Sequence, residues 1–394
     1  MPTKDRWLLP EGVEELLPAE ARRAEHLRRR LLDLFASWGY ELVMPPLIEY
    51  LDSLLTGAGQ DLDIQTFKLT DHLTGRLMGI RPDMTPQAAR IDAHYLKRNA
   101  PVRLCYMGSV LHTRADEFGG SREPLQMGAE LFGHTGADAD AEILGLMIET
   151  LKLADIAEAH IDLGHVGIFR GLAEQAQLNP EQESDLFEAL QRKARNDVMT
   201  LLASSRAPAV TQKMLLSLLD LSGDHAVLTR AREQCRGAPE KVMHALDALQ
   251  AVAERVARQP GAPTLYFDLA ELSGYRYYTG IVFSAFVPGH GRAIARGGRY
   301  DGIGRAFGRE RAATGFGADL RQWLSLSTSA AVPLSGILAP DGDDDALWAE
   351  IMRLRAEGQR VVRRLSNDKS PAAEFGCDRE LVKRDGKWKI EVLK

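Results

Sequence analysis

Residues 102–133, VRLCYMGSVLHTRADEFGGSREPLQMGAELFG, decide the fold. The arms 102–113 and 124–133 are β-rich, and the polar, glycine-bearing segment 114–123 separates them, a pattern that predicts a long antiparallel hairpin. On the second arm Gln126 and Glu130 stand four residues apart. Side chains an even number apart on a strand share one face, so both can line a single pocket.

Upstream, Leu27, Leu31, Leu34, Phe35 and Trp38 recur at helical spacing opposite Arg22, Arg23, Arg28, Arg29 and Arg30, which predicts an amphipathic helix that Gly39 stops. A strand at 40–44 ends at Pro45-Pro46, and segments 66–70 and 76–81 read as a hairpin around a Gly-terminated turn. Thr85-Pro86 reads as an N-cap with proline at the first helical position, opening a helix towards Leu96. Downstream, 138–153 is helical by period, 159–163 is strand-like, and about 171–259, rich in Leu, Ala, Glu, Gln and Arg, reads as a helical insertion. Strands return at 264–269, 277–286 and 292–295; residues 297–302 read as a turn, and a helix is expected near 315–326. Past a small-residue linker at 327–333 come a strand, a helix over 345–356, a second strand, and a hairpin over 380–393 turning at Asp385-Gly386. Strands and helices that segregate predict the α+β class: an antiparallel sheet flanked by helices in a core spanning 1–326, and a small C-terminal α/β domain over 334–394.

The 394 residues are 45% apolar and 26% charged, enough to bury a large core, which excludes a disordered or collagen-like chain. A net charge of −6 argues against a nucleic-acid-binding surface, which needs an excess of Lys and Arg. Three scattered cysteines, Cys105, Cys235 and Cys377, form no CxxC pair, so neither a zinc knuckle nor a disulfide framework is indicated. No apolar run approaches the roughly 18 residues of a membrane span, and a soluble, cytoplasmic protein is expected.

The glycine-rich stretch 289–317 holds neither a phosphate-binding P-loop pattern nor a placed dinucleotide fingerprint, and turn chemistry accounts for it. The acidic run 341–345 suits either a divalent cation or, more commonly, a helix N-terminus. His160 and His165 lack a nearby third ligand, so no metal and no cofactor are expected. More telling is the polar set Asp83, Thr85, Gln126, Glu130, Tyr277 and Tyr278, with the two tyrosines at the start of a strand. Carboxylate, amide and phenol on one sheet face suit a small ligand carrying an ammonium and N–H donors.

Four ordered strings, GIRPDMTPQAARI (79–91), YMGSVLHTRADEFGGSREPLQMGAELFG (106–133), GYRYYTGIVF (274–283) and ARGGRYDGIGRAFG (295–308), resemble the core of the histidine–tRNA ligases, class II synthetases. The resemblance runs from about Pro10 to Leu326, and residues 38–49 look like that family's dimer-forming first motif. By the resemblance, Glu130 and Tyr278 would hold an imidazole, with Tyr277 beside them, and Asp83, Thr85 and Gln126 would hold an α-amino group. Three arginines that the ligases place on phosphate or carboxylate are replaced here, by His112, Ser273 and Gln322. Fixed cationic donors at such centres are each worth about 3–7 kcal/mol, so adenylation is not expected. After Pro333 about 60 residues remain, too few for the full anticodon-reading domain, so no tRNA is expected as a partner.

A ligase-like chain with a histidine pocket and without these clamps is similar to the ATP phosphoribosyltransferase regulatory subunits. That resemblance implies a non-catalytic subunit serving the first step of histidine biosynthesis and its feedback inhibition. The implied partners are a short-form ATP phosphoribosyltransferase catalytic subunit, a second copy of this chain within a hetero-oligomer, and L-histidine, with no membrane. The competing readings are an active histidine–tRNA ligase and a non-enzymatic tRNA-sensing module.

Overall fold

The computed structural model describes residues 7–57, 60–115, 120–156, 158–271, 274–275, 277–328 and 334–393. The chain forms two compact units, Met1–Ser329 and Ala330–Lys394.

The first unit opens with α1 (Pro18–Ser37), which starts on a proline and buries Ala24, Leu27, Leu31 and Phe35, the stripe expected from the spacing. Gly39, at φ +83°, ends it in a conformation that costs glycine nothing. Then follow β1 (Glu41–Leu42), β2 (Ile48–Tyr50), two short helices, α2 (Leu51–Leu54) and α3 (Gln60–Gln65), and the hairpin β3 (Phe67–Thr70) to β4 (Leu77–Ile80). Helix α4 (Thr85–Arg90) runs into a π-helical stretch, Ile91–Leu96. Thr85 is the first residue of this helix and not its cap; Asp83 takes the capping role, its Oδ1 accepting the Thr85 N–H at 2.9 Å. The long hairpin is β5 (Val102–Ser109) and β6 (Leu125–Phe132), in unbroken register from Val102↔Phe132 to Ser109↔Leu125.

Next come α5 (Ala137–Leu153) and β7 (His160–His165). The helices α6 (Val166–Gln175), α7 (Pro180–Gln191), α8 (Arg195–Ser204), α9 (Ala209–Ser217), α10 (Ala226–Gln234) and α11 (Glu240–Ala257) follow, with β8 (Ser222–Gly223) among them. The unit closes with β9 (Leu265–Asp268), β10 (Ile281–Phe286), β11 (Ala295–Arg299), α12 (Ile303–Ala306), β12 (Ala313–Asp319) and α13 (Leu320–Leu326).

Of these strands, β2, β4 and β3 form a separate three-stranded sheet, and the other nine form one sheet in the order β1-β5-β6-β12-β11-β10-β7-β9-β8. The sheet is mixed where an antiparallel one was expected: β1 pairs parallel with β5, and β7 with β9. The α6–α11 insertion is the crossover that a parallel pair requires. Two further expectations change. Gly297–Arg299 is strand, not turn, and residues 313–319 are strand, the helix beginning only at Leu320. The cause is backbone proximity: a Cβ on Gly297 would lie 2.4 Å from the Gly315 carbonyl, so these glycines permit close strand packing and do not break the strands.

One face of the sheet carries Met127, Ala129, Leu131, Ala295, Phe283 and Phe316 into the main core with α1, α5 and α11. The opposite face is plugged at one end by Val102, Leu104, Phe132 and Ala313 packed against Met84, Ala88 and Ala89. The polar residues of interest lie beside that plug, on the same face.

The second unit has a four-stranded sheet ordered β14-β13-β15-β16, formed by β13 (Ile337–Ala339), β14 (Val361–Arg363), β15 (Arg379–Arg384) and β16 (Lys387–Val392), with α14 (Asp345–Ala356) between the first two. Its core is Ile337, Ala339, Leu347, Ile351, Leu354, Val361 and Leu381. Asp385 and Gly386, at φ +51° and +76°, make the two-residue turn that Arg384↔Lys387 pairing demands. In the acidic run, Asp344 caps α14, accepting the Ala346 N–H at 2.9 Å, and pairs with Lys383 at 2.7 Å.

Candidate functional site

Glu130 is 1% exposed, and both its oxygens are taken by phenols. The Tyr106 hydroxyl donates to Oε1 at 2.8 Å, and the Tyr300 hydroxyl donates to Oε2. Period two puts Tyr106 on the Glu130 face of the hairpin, where its register partner is Gly128. A Cβ on Gly128 would fall 2.4 Å from the Tyr106 oxygen, and one on Gly315 would fall 1.5 Å from Glu130 Oε2. Glycine is therefore required at both positions for the clasp to close. Burial pushes the Glu130 carboxyl up to about 8; the Tyr300 and Tyr106 hydroxyls pull back against this, while the Asp83 charge adds to it.

The chain of hydrogen bonds continues outward. Thr85 Oγ1 lies 2.9 Å from the Tyr106 hydroxyl. Asp83 Oδ1 accepts from the Thr85 amide at 2.9 Å, from its hydroxyl at 3.1 Å and from Gln126 Nε2 at 2.6 Å, while Gln126 Oε1 accepts the Met84 N–H at 2.9 Å. Asp83, Thr85, Gln126 and Glu130 thus belong to one network, held by the α4 N-terminus and β6.

Tyr277 and Tyr278 join it from a different element than expected. They do not begin a strand: both amides bond back to the Gly274 carbonyl, at 2.8 and 2.9 Å, and β10 starts at Ile281. Gly274, at φ +72°, makes this tight turn, and a Cβ there would strike the Tyr278 ring at 2.6 Å. Tyr277 stacks on Tyr300, with centroids 5.0 Å apart, and meets Tyr278 edge-on at 5.3 Å. It stays 36% exposed, so it forms a wall of an open recess.

Tyr300 is positioned by its neighbours. Buried Arg299 donates to Asp140 at 3.1 Å and to the His134 carbonyl at 3.1 Å, and Asp301 accepts the Ala313 N–H at 2.9 Å. The reading from sequence missed Tyr106 and Tyr300. Alternation along 102–109 was a signal for the first; for the second there was none beyond its lying in the string GGRYDG.

The three replaced positions fall as follows. His112 Nε2 lies 2.9 Å from the Pro82 carbonyl, and Gln322 Nε2 lies 2.7 Å from His290 Nε2. Ser273 lies outside the described residues. Asp319, one turn before Gln322, turns inward, accepting the backbone N–H of Leu125 at 3.0 Å and of Arg321 at 2.9 Å. Among the described residues no cluster of metal-ligating side chains occurs.

Residues 12–323 match the family model described as histidyl-tRNA synthetase, and residues 334–391 match that of the ATP phosphoribosyltransferase subunit HisZ C-terminal domain. An ATP phosphoribosyltransferase regulatory subunit of Thioalkalivibrio sulfidiphilus is 55% identical, with 100% of both chains covered. The chain belongs to the ATP phosphoribosyltransferase regulatory subunit family. A Bacillus halodurans structure described as an ATP phosphoribosyltransferase regulatory subunit/histidyl-tRNA synthetase superposes with a TM-score of 0.83 at 28% identity, covering 95% of this chain and 97% of that one. The histidyl-tRNA synthetase of Nostoc shares the fold, with a TM-score of 0.79 at 19% identity over 98% and 97% of the two chains. Membership explains why a ligase-like sheet and a short C-terminal unit occur in one chain.

Proposed function

We propose that the chain is the non-catalytic regulatory subunit of an ATP phosphoribosyltransferase. It supports the first step of histidine biosynthesis on a separate short-form catalytic chain and transmits feedback inhibition by L-histidine. The observation that carries this reading is the set of groups gathered around Glu130: its buried carboxyl, the Tyr277–Tyr278 pair, and Asp83 bonded to Gln126, chemistry that suits an imidazole and an ammonium group. At positions 112 and 322, where the ligases keep arginine, a histidine and a glutamine bond to protein groups instead. Histidine bound here lowers turnover elsewhere to the extent that it binds one quaternary state better than another, commonly by about 1–3 kcal/mol.

The subunit pairs with a second copy of itself. Met44 (76% exposed), Leu47, Ile48 and Leu42 follow one another along the β1–β2 segment, an apolar stretch that self-association would cover. No helix among the described residues is long and apolar enough to cross a membrane.

The test mixes the purified chain with a short-form catalytic chain and follows phosphoribosyl transfer with and without histidine. Stimulation by the chain and inhibition by histidine only in its presence are expected. Unchanged turnover, or histidine-dependent exchange of pyrophosphate into ATP by the chain alone, overturns the proposal.

A further inference from the structure

A bound amino acid carries a carboxylate on the same carbon as its ammonium group, and Asp83 and Gln126 themselves offer that carboxylate no cation. We infer that Arg296 supplies it, an inference that rests on the histidine reading of the recess. The sheet register places Arg296. On β11 it pairs with Gly317 of β12, which pairs with Gly128 of β6, midway between Gln126 and Glu130. Arg296, Gly317 and Gly128 therefore form one row across the recess face, and the next row is Glu130, Gly315 and Gly298.

One strand, β12, separates Arg296 from β6, so the two lie two strand spacings apart, about 10 Å. The intervening positions, Gly315, Gly317 and Gly298, have no side chains; the Glu130 carboxyl lies over Gly315 and the Tyr278 ring over Gly298, while at Gly317 the floor is open, with no atom closer than 3.8 Å to where a Cβ would be. The Gln126 amide nitrogen, which donates to Asp83, lies 3.8 Å from where a Gly317 Cβ would be, which brings the Asp83–Gln126 pair to the border of that floor.

Arg296 is exposed and uncommitted. Among the described residues no hydrogen-bond or ion-pair partner holds it, and its charge is felt by Tyr278. Three nearby arginines are engaged. Arg81 donates to the carbonyls of Pro45 and Ser109, Arg122 to those of His112 and Glu11, and Arg321 to that of Glu14 while facing Glu123 at 3.7 Å. A guanidinium can grip a carboxylate through two parallel N–H donors, geometry that His112 cannot offer. The recess thus recognises a free α-amino acid: imidazole at Glu130, ammonium at Asp83 and Gln126, carboxylate at Arg296.

Calorimetric titration of the full chain with L-histidine and with histamine, which lacks the carboxylate, tests this in wild type and in Arg296→Met. Wild type is expected to bind histidine about 10- to 100-fold more tightly than histamine, the worth of one charge-assisted contact. Arg296→Met should erase that preference and leave histamine binding unchanged, which also shows that the variant is folded. Undiminished histidine binding by Arg296→Met overturns the role of Arg296 while leaving the histidine pocket standing. Equal loss of both ligands overturns it too, because the residue would then support the pocket and not the carboxylate. Failure of wild type to bind histidine overturns both readings.

Discussion

Burial lifts the Glu130 carboxyl to about 8, so near neutral pH the folded protein holds a proton there that the unfolded chain releases. From the ordinary value of 4.5 up to about 8 the native state binds more protons than the unfolded one, and stability falls as pH rises through that window. His165 acts in the opposite sense. Burial, with Arg299 and Arg170 close by, lowers it to about 4, so its neutral ring supports the fold above pH 6.5 and that support is lost as pH falls towards 4. The two oppose each other below 6.5, and between 6.5 and 8 Glu130 acts without His165. Chemical denaturation should therefore show wild type losing about 1.5 kcal/mol between pH 6.5 and 8, a slope that Glu130→Gln abolishes; equal slopes in the two proteins would exclude the buried proton. Gly315→Ala tests the clasp sterically. A methyl 1.5 Å from Glu130 Oε2 must displace the carboxyl, and overpacking of this kind costs about 1–3 kcal/mol. Lower melting temperature together with weakened histidine binding is expected. Gln126 and Glu130 were readable as a same-face pair from period two alone, whereas Tyr300 was not, because it reaches Glu130 from 170 residues away.

Among the elements, the turn at 274–278 sets the open wall of the recess. Its Tyr275 ring stacks on Phe187 at 5.0 Å and meets Phe169 edge-on at 5.3 Å, with the Arg170 guanidinium 4.6 Å over it. The Tyr275 hydroxyl donates to Glu183, so the insertion helices α6 and α7 hold the turn that carries Tyr277 and Tyr278. Gly274→Ala places a Cβ against the Tyr278 ring in a left-handed conformation, which costs about 1–2 kcal/mol. Because the strain falls on the recess wall, histidine affinity measured by calorimetry should drop at least several-fold while the main melting transition shifts by only a few degrees. An unaltered affinity would show that Tyr278 does not touch the ligand. Helices α1 and α14 and the 385–386 hairpin were legible because their signals are local: a 3.6-residue period, a cap, a two-residue Asp-Gly turn. Strands β11 and β12 were not, since Gly297, Gly315 and Gly317 mimic turn composition and only the neighbouring strands reveal why no Cβ fits.

On the scale of the whole molecule, the two units have separate cores, and the groups around Glu130 all belong to the first. A chain ending at Ser329 is expected to keep both the cooperative melting transition and the histidine affinity of the full chain; loss of either would show that the second unit completes the first. The sequence alone determined the periodic elements, the α+β class and the polar residue types of the recess, because helix period, strand alternation and turn chemistry act over a few residues. Only the tertiary structure decided which of those residues meet. The order β6-β12-β11 brings Glu130, Gly315 and Gly298 side by side, with Arg296 in the adjacent row, from positions far apart in the chain, and the two parallel pairs turn the expected antiparallel sheet into a mixed one. Strand neighbours and register are set by burying the whole core at once, and no local stretch carries that information.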